Sequence, residues 1–142
     1  MSKSDAYEAD LLSLLLQGVT ITDLAVASTN INSIWASLHT GDPGDTGTQG
    51  TNEANYSGYT RIAVTRSTAG FVVSGGSASP VSAISFPEAA STTTMTLTHA
   101  AFGMASASTG GKIFYSGALS PEVNVGSGVT PRITTGSSVT ED

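Results

Sequence analysis

Two histidines, His39 and His99, are the side chains in this 142-residue chain that suit general acid–base work near neutral pH. His39 precedes a turn, and His99 alternates with apolar residues in a strand pattern. Neither stands beside a recognisable nucleophile–base pair in the sequence. We therefore expect both histidines to make structural hydrogen bonds, and we predict that the protein is not an enzyme.

The acids of segment 41–58 form a second candidate site. Asp42, Asp45 and Glu53 carry the hard oxygen ligands that calcium prefers. Their spacing lacks the dense alternation of ligands found in an EF-hand. Pro43 after Asp42 favours a turn in which the aspartate bonds to the backbone. We therefore expect solvated acids in a turn, with no metal and no cofactor.

Two pairs of glycines, 75–76 and 110–111, are the candidates for phosphate loops. Neither pair has the Gly-x-Gly-x-x-Gly or Gly-Lys-Ser/Thr form, and neither precedes a helix whose N-terminus would hold an anion. We predict that both are hairpin turns.

Three aromatic residues, Trp35, Tyr56 and Tyr59, are candidates for an exposed patch that contacts a sugar or a partner. Against this, Trp35 lies in a strand pattern with Ile34 and Leu38, which favours a place in the core or at a subunit contact. The alternation alone does not indicate which face of this strand is exposed to solvent.

The composition excludes some partners. The net charge is −6 with five basic residues, so the cluster of Lys and Arg that binds nucleic acid is missing. Only 11% of residues are charged, which suits dense packing against copies or neighbours. An ordinary Ser/Thr-rich β domain would have the same composition. Without cysteine there are no disulfides or thiolate metal sites.

The apolar run Leu11–Leu16 is too short to span a bilayer. It is not a signal peptide either, because Lys3 is followed by Asp5, Glu8 and Asp10 rather than by further basic residues. We expect a soluble chain with no membrane partner, made in the cytoplasm and not exported by its own sequence.

One helix is predicted at residues 5–17. Asp5 and Glu8 form a possible capping box, and Gly18 suits the position just after a helix. Four leucines repeat at helical spacing and must be buried against the body of the protein or another subunit. They are Leu11, Leu12, Leu15 and Leu16.

The rest of the chain has the pattern of short β-strands, in which apolar and polar residues alternate and turn residues separate the runs. The predicted strands are 32–40, 59–66, 71–73, 82–86, 93–104 and 112–119, with shorter candidates at 122–125, 130–134 and 138–142. Segment 71–73 is expected to run antiparallel after 59–66, segment 74–80 to be a turn, and segment 41–58 a long surface loop. The fold class is mainly β, an antiparallel β-sandwich or jelly roll of seven to nine short strands with one short N-terminal helix. We predict an arm at 1–18 and a sandwich domain at 19–142.

The motifs Leu38-His-Thr-Gly-Asp-Pro-Gly44 and Tyr56-x-Gly-Tyr-x-Arg61-x-x-Val64 resemble those of small virion structural proteins of tailed bacteriophages. Proteins of this kind are labelled tail-fibre-like or capsid-associated. The resemblance extends to the N-terminal helix and to the ending Thr130-Pro-Arg132 with Val139-Thr-Glu-Asp142. The link at 22–33 departs from it by being longer and more polar. The resemblance implies a virion component without catalytic residues.

Two structural roles follow from the resemblance. The first is a capsid decoration (cement) protein on the phage head surface, a homo-oligomer expected to be a trimer, which binds the major capsid protein and stabilises the assembled shell. The alternative is a tail or tail-fibre-associated protein that contacts other tail parts or the host surface. Long fibres usually show repeats or heptads, and this chain has neither, so we favour the first role. A glycan hydrolase is a third possibility, which the scattered acids disfavour.

The predicted contacts with subunits or partners combine the leucine stripe with the loop and its flanks. They are Leu11, Leu12, Leu15, Leu16, Trp35, Asp42, Asp45, Tyr56, Tyr59 and Arg61.

Overall fold

The computed structural model describes residues 3–21, 24–27, 31–90, 92, 94–107 and 110–141. Part of the link at 22–33 therefore lies outside the described residues. So does part of segment 108–111, which is predicted to be the turn between strands 93–104 and 112–119. The first residue of the strand predicted at 93–104 and the last residue of the chain also lie outside them. In the described part, a helix α1 (Asp5–Leu12) precedes nine strands. They are β1 (Ser33–His39), β2 (Ile62–Thr65), β3 (Phe71–Ser74), β4 (Ser77–Pro80), β5 (Ile84–Ser85), β6 (Met95–Gly103), β7 (Ile113–Val125), β8 (Arg132–Ile133) and β9 (Val139–Thr140). The mainly β class with antiparallel sheets and one short N-terminal helix is thereby confirmed, and the sandwich or jelly-roll arrangement is compatible with it.

The chain divides into two compact units. Unit 1 comprises Met1–Ser33, Val64–Ala83 and Ile133–Asp142, and unit 2 comprises Ile34–Ala63 and Ile84–Arg132. The predicted division into an arm at 1–18 and a domain at 19–142 stays a prediction.

The N-terminal helix of unit 1 confirms the prediction for 5–17. A π-helical turn, Ser13–Gln17, continues α1, and Gly18 ends it with φ +69°. The predicted capping box is wrong, because Ser4 is the N-cap residue and its side chain makes no hydrogen bond to the first turn of the helix. Asp5 is already the first helical residue, one position too late to cap.

Arg66 holds the end of this helix. Its Nε donates to the carbonyl of Leu15 at 2.6 Å, and its Nη2 donates to the carbonyl of Leu14. The last carbonyls of a helix have no partner within it, so the guanidinium satisfies groups that would otherwise need water. Leu12 and Leu16 are buried, as their spacing predicts.

The sheet of unit 1 differs from the prediction. β3 pairs with β4 from Phe71↔Pro80 to Ser74↔Ser77, not with the strand before it, and β4 pairs with β9. The predicted turn at 74–80 is therefore mostly strand. Gly75, with φ +59°, makes the reversal together with its neighbour, so the Ser-rich residues after it return along β3. The prediction that this glycine pair is a hairpin turn is confirmed.

The four-stranded sheet has the strand order β2-β1-β6-β7. β1 pairs with β6 from Trp35↔Gly103 to His39↔His99, so each such pair shares one face of the sheet. β7 merges the two strands predicted at 112–119 and 122–125. A bulge joins them, because Ala118 pairs with His99 and Val123 pairs with Leu97. The four residues 119–122 of β7 therefore stand opposite the single residue 98 of β6.

Candidate functional site

The loop 41–58 of unit 2 pairs with β1 and the residue after it at residues 52–54. Its backbone pairs with the strand through Thr40 N to Asn52 O and Ala54 N to Leu38 O, both at 2.8 Å. The loop was predicted to lie on the surface. In the structure most of its polar side chains are exposed, but several of its side chains are buried, and residues 52–54 run antiparallel beside β1. The buried side chains are Pro43, Gln49, Ala54 and Tyr56.

A buried Ser–His pair lies under this segment. The His39 Nδ1 is 2.8 Å from the carbonyl of Thr51, and its Nε2 is 3.0 Å from the Ser37 hydroxyl. Because a carbonyl can only accept, Nδ1 carries the proton and Nε2 accepts from the serine. Burial lowers the pKa of His39 below 6.5. The structural role predicted for His39 is confirmed, whereas its partner two residues away was missed.

An ion pair between Glu53 and Arg61 anchors the end of the loop. The Arg61 Nε and Nη2 donate to the two carboxylate oxygens at 2.6 and 2.8 Å, and the side chains are 1% (Arg61) and 9% (Glu53) exposed. Tyr59 joins them, since its hydroxyl donates to Glu53 Oε1 at 3.1 Å and accepts from the backbone N–H of Leu38 at 3.0 Å. Burial raises the pKa of Tyr59. The Tyr-x-Arg motif therefore fixes the position of the loop through hydrogen bonds to Glu53.

Gln49 is the anchor that the sequence did not reveal. Its Nε2 donates to the carbonyl of Trp35 at 3.0 Å, and its Oε1 accepts from the backbone N–H of Ala105 at 2.9 Å. The side chain is fully buried. A Cβ on Gly103 would stand 2.4 Å from Gln49 Cδ, and one on Gly111 would stand 2.8 Å from its Oε1. Both glycines leave room for the amide.

The turn at the start of the loop confirms the prediction for Asp42. Its Oδ1 accepts from the backbone N–H of Gly44 at 2.8 Å, and Asn52 Nδ2 donates to its carbonyl at 3.1 Å. Gly44 has φ +69°, and a Cβ on Gly47 would lie 1.9 Å from the carbonyl oxygen of Pro43. Among the described residues no group of three or more His, Cys, Asp or Glu side chains could hold a metal ion.

The two tyrosines of the loop end pack in an aromatic cluster. The Tyr56 and Tyr59 rings meet edge to face at 5.3 Å, and Tyr59 stacks on Phe86 at 6.1 Å. Tyr56 donates to the carbonyl of Pro87 at 3.0 Å, and burial raises its pKa to about 12. Tyr56 is buried, so these residues do not form the exposed patch considered above. Trp35 is half-buried.

The structure brings together only part of the predicted contact set. Tyr56, Tyr59 and Arg61 lie together at the loop end, and the leucines lie on the helix of unit 1. Asp42 and Asp45 are the exposed members. A contact with subunits or partners stays a prediction for every residue of the set. Across the described ranges, no helix has the length and apolar character needed to cross a membrane.

Comparison with protein families identifies the family to which the chain belongs. The family model of the podophage GP4 fiber I protein gp80 matches residues 2–141. No curated protein matches the chain. The match covers nearly the whole sequence, so the chain belongs to this family of phage virion structural proteins, and the predicted resemblance is confirmed.

Proposed function

We propose that this member of the phage fibre protein family is a non-enzymatic structural module of the tail-fibre apparatus. The match to a fibre protein over residues 2–141 carries the proposal. It favours the tail-associated alternative over the capsid decoration role, which we expected because the sequence has no repeats or heptads. The capsid role on the head surface, with the major capsid protein as partner, becomes the competing outcome of the test.

The absence of heptads and repeats from the sequence does not oppose this role. Repeats lengthen the shaft of a fibre, whereas a joint, collar or tip needs a domain with its own core. Unit 2 has such a core, with Ile34, Leu38, Leu97 and Val125 at most 2% exposed. We place the chain among these non-repetitive parts.

The anchored loop supports a contact role. Its exposed turn carries Asp42 and Asp45, while Gln49 and the Glu53–Arg61 pair fix its base. A loop ordered before binding loses less conformational entropy when a partner docks. The partners we propose are other copies of the chain, neighbouring tail proteins and the host surface, where many weak contacts add up through multivalency.

The non-enzymatic character has separate support. The Ser37–His39 pair resembles the start of a nucleophilic site, but both residues are 0% exposed. A nucleophile must reach a reacting atom, and neither group is open to a substrate. The Glu53 carboxylate of the loop is paired with Arg61. These contacts stabilise the loop.

Gold labelling of intact virions tests the location. Antibodies raised against the purified chain are applied to particles and imaged by negative-stain electron microscopy, with antibodies against the major capsid protein as the matched control. We expect gold at the tail and its fibres, and control gold over the head. Labelling spread over the head would refute the fibre assignment and support the capsid role.

A further inference from the structure

His39 is a buried titratable residue, and a short part of the anchored loop lies against its ring. The side chain of His39 is 0% exposed. The covering segment, residues 50–52, lies between two anchors of the loop, Gln49 before it and Glu53 after it. Its middle residue, Thr51, accepts the hydrogen bond from the ring Nδ1 at 2.8 Å. The covering segment is therefore in direct contact with a buried imidazole.

The two ring nitrogens of His39 bond to neutral groups rather than to a carboxylate. The ring Nε2 is 3.0 Å from the Ser37 hydroxyl, and the other acceptor of that hydroxyl is the carbonyl of Ala101, at 3.5 Å. If Nε2 carried a proton, the serine would have to accept from it and turn its own hydrogen toward this distant carbonyl. The acid that faces the ring, Glu53, already accepts two hydrogen bonds from Arg61. A charged ring would therefore be buried without a counter-ion of its own.

Four titratable groups lie around His39, and they do not favour one sign of charge. Glu53 favours a protonated ring, whereas Arg61 and His99 oppose it. The effects of Glu53 and Arg61 counteract each other because the two groups form an ion pair. Tyr59 stays neutral near neutral pH, because burial raises its pKa. The largest influence on the ring is its own burial, which lowers its pKa.

The covering segment is held closed by hydrogen bonds and not by apolar packing. Its residues are Gly50, Thr51 and Asn52, and the first and last of these are exposed. The strand β6, which also neighbours the ring, places Leu97 and Phe102 in the core. Proteins open locally where few buried apolar contacts must be broken. Water can therefore reach the ring at a lower cost through the covering segment than through β6.

We propose that the covering segment is acid-sensitive: it opens between its two anchors when His39 takes up a proton, while the rest of unit 2 stays folded. Opening lets water reach the imidazole, so the open state binds a proton more tightly than the closed state does. The backbone hydrogen bonds that break are those from Thr40 N to Asn52 O, at 2.8 Å, and from Thr51 N to Thr48 O, at 2.9 Å.

The opening would also loosen the exposed turn at the start of the loop. Asn52 Nδ2 donates to the carbonyl of Asp42 at 3.1 Å, and the Asn52 carbonyl accepts from the backbone N–H and the hydroxyl of Thr40. Without these bonds the turn that carries Asp42 and Asp45 loses this link to the end of β1, and a partner must order it on binding. Weaker partner binding in acid rests on the contact role proposed above, whereas the opening itself does not.

Amide hydrogen exchange, followed by NMR on the purified chain, tests the opening one residue at a time. The protection factors of Thr40 and Thr51 report on the covering segment, and those of Gln49 and Ala54 report on its two ends, because their N–H groups bond outside it. An exposed histidine has its ordinary pKa of 6.5, so a change from pH 7.5 to 5.5 should raise the open population by up to about tenfold. We expect the first two protection factors to fall by about tenfold, and the other two by less than about twofold.

Two histidine variants identify the group that takes up the proton. His39→Gln keeps a donor for the carbonyl of Thr51 but cannot be protonated, so the fall in protection should disappear. His99→Gln, directly opposite on β6, is the matched control and should keep the fall. Melting temperatures show whether each variant folds. If His39→Gln does not fold, the ring resonances of His39 in the unaltered chain decide: they should titrate below pH 6.5, and a midpoint at or above it would contradict the inference.

Three further results would overturn the inference. They are an equal loss of protection at all four amides, which indicates unfolding of the whole unit, no loss between pH 7.5 and 5.5, and a loss that persists in His39→Gln. The purified chain answers this question, whereas virion labelling answers the question of location. A failure of one inference therefore does not imply failure of the other.

Discussion

Removing one partner of the ion pair between Glu53 and Arg61 should strongly destabilise unit 2. Arg61→Met removes a guanidinium that makes three hydrogen bonds, two of them to Glu53 and one, at 2.9 Å, to the carbonyl of Ala105. The Glu53 carboxylate, with 9% of its side chain exposed, then keeps only the Tyr59 hydroxyl as a partner among the described residues. An unpaired charge is left in a site that water barely reaches.

Breaking a buried pair by removing one partner costs about 3–5 kcal/mol. We expect Arg61→Met to lower the free energy of unfolding by that amount. The double variant Glu53→Gln/Arg61→Met buries no charge, so it should lose about 2 kcal/mol less than the sum of the two single variants. The control is the pair between Lys3 and Glu141, at 3.3 Å with side chains 31% and 23% exposed. For this pair, Lys3→Met should cost at most about 1 kcal/mol.

Urea titration provides the measurement. Trp35 is the single tryptophan and lies in β1, so its fluorescence reports on unit 2, and circular dichroism follows the whole chain. The reasoning is refuted if Arg61→Met and Lys3→Met cost the same, or if the effects of Glu53→Gln and Arg61→Met simply add.

Three further variants test other contacts. Burial lowers the pKa of His39 below 6.5, so as the pH falls the unfolded chain takes up a proton at this histidine before the folded chain does. The free energy of unfolding should therefore be highest above pH 6.5 and fall as the pH drops below it. His39→Gln should flatten this decline, and an unchanged slope between pH 7.5 and 5 would contradict it. Gly103→Ala should cost about 1–3 kcal/mol because its Cβ would stand 2.5 Å from a backbone carbonyl oxygen, whereas Gly117→Ala, with open space, should cost far less. Equal melting temperatures for these two would refute the packing argument. Arg66→Met should speed hydrogen exchange in the N-terminal helix, because the last carbonyls of the helix lose the guanidinium that donates to them. Arg132→Met, at an exposed position, should leave this exchange unchanged. Equal exchange rates in the two variants would show that Arg66 does not cap the helix.

Local patterns predicted several elements correctly. The leucine spacing and Gly18 predicted the helix of unit 1, and period-two alternation predicted β1 and the β6–β7 hairpin. These signals act over a few residues and need no knowledge of the partner strand. β4 was missed because Ser77–Pro80 has no apolar alternation, so only its pairing with β3 makes it a strand.

The anchors of the loop could be predicted only in part. The turn at Asp42 follows from Pro43 and the glycines around it, because an Asx turn is local. The bond of Gln49 to Ala105 spans 56 residues, and no pattern in either segment indicates it. The sequence predicts Arg61 as a contact with subunits or partners, which stays a prediction, and no local pattern indicates that its guanidinium pairs with Glu53. Polar pairing between distant segments depends on the completed fold.

A cryo-electron microscopy map of the intact virion would test the fibre assignment most directly. The four-stranded sheet β2-β1-β6-β7 is a recognisable feature to place in such a map. We predict density for this sheet in the tail-fibre apparatus. Density for it on the outer surface of the head shell, and none at the tail, would contradict the proposal.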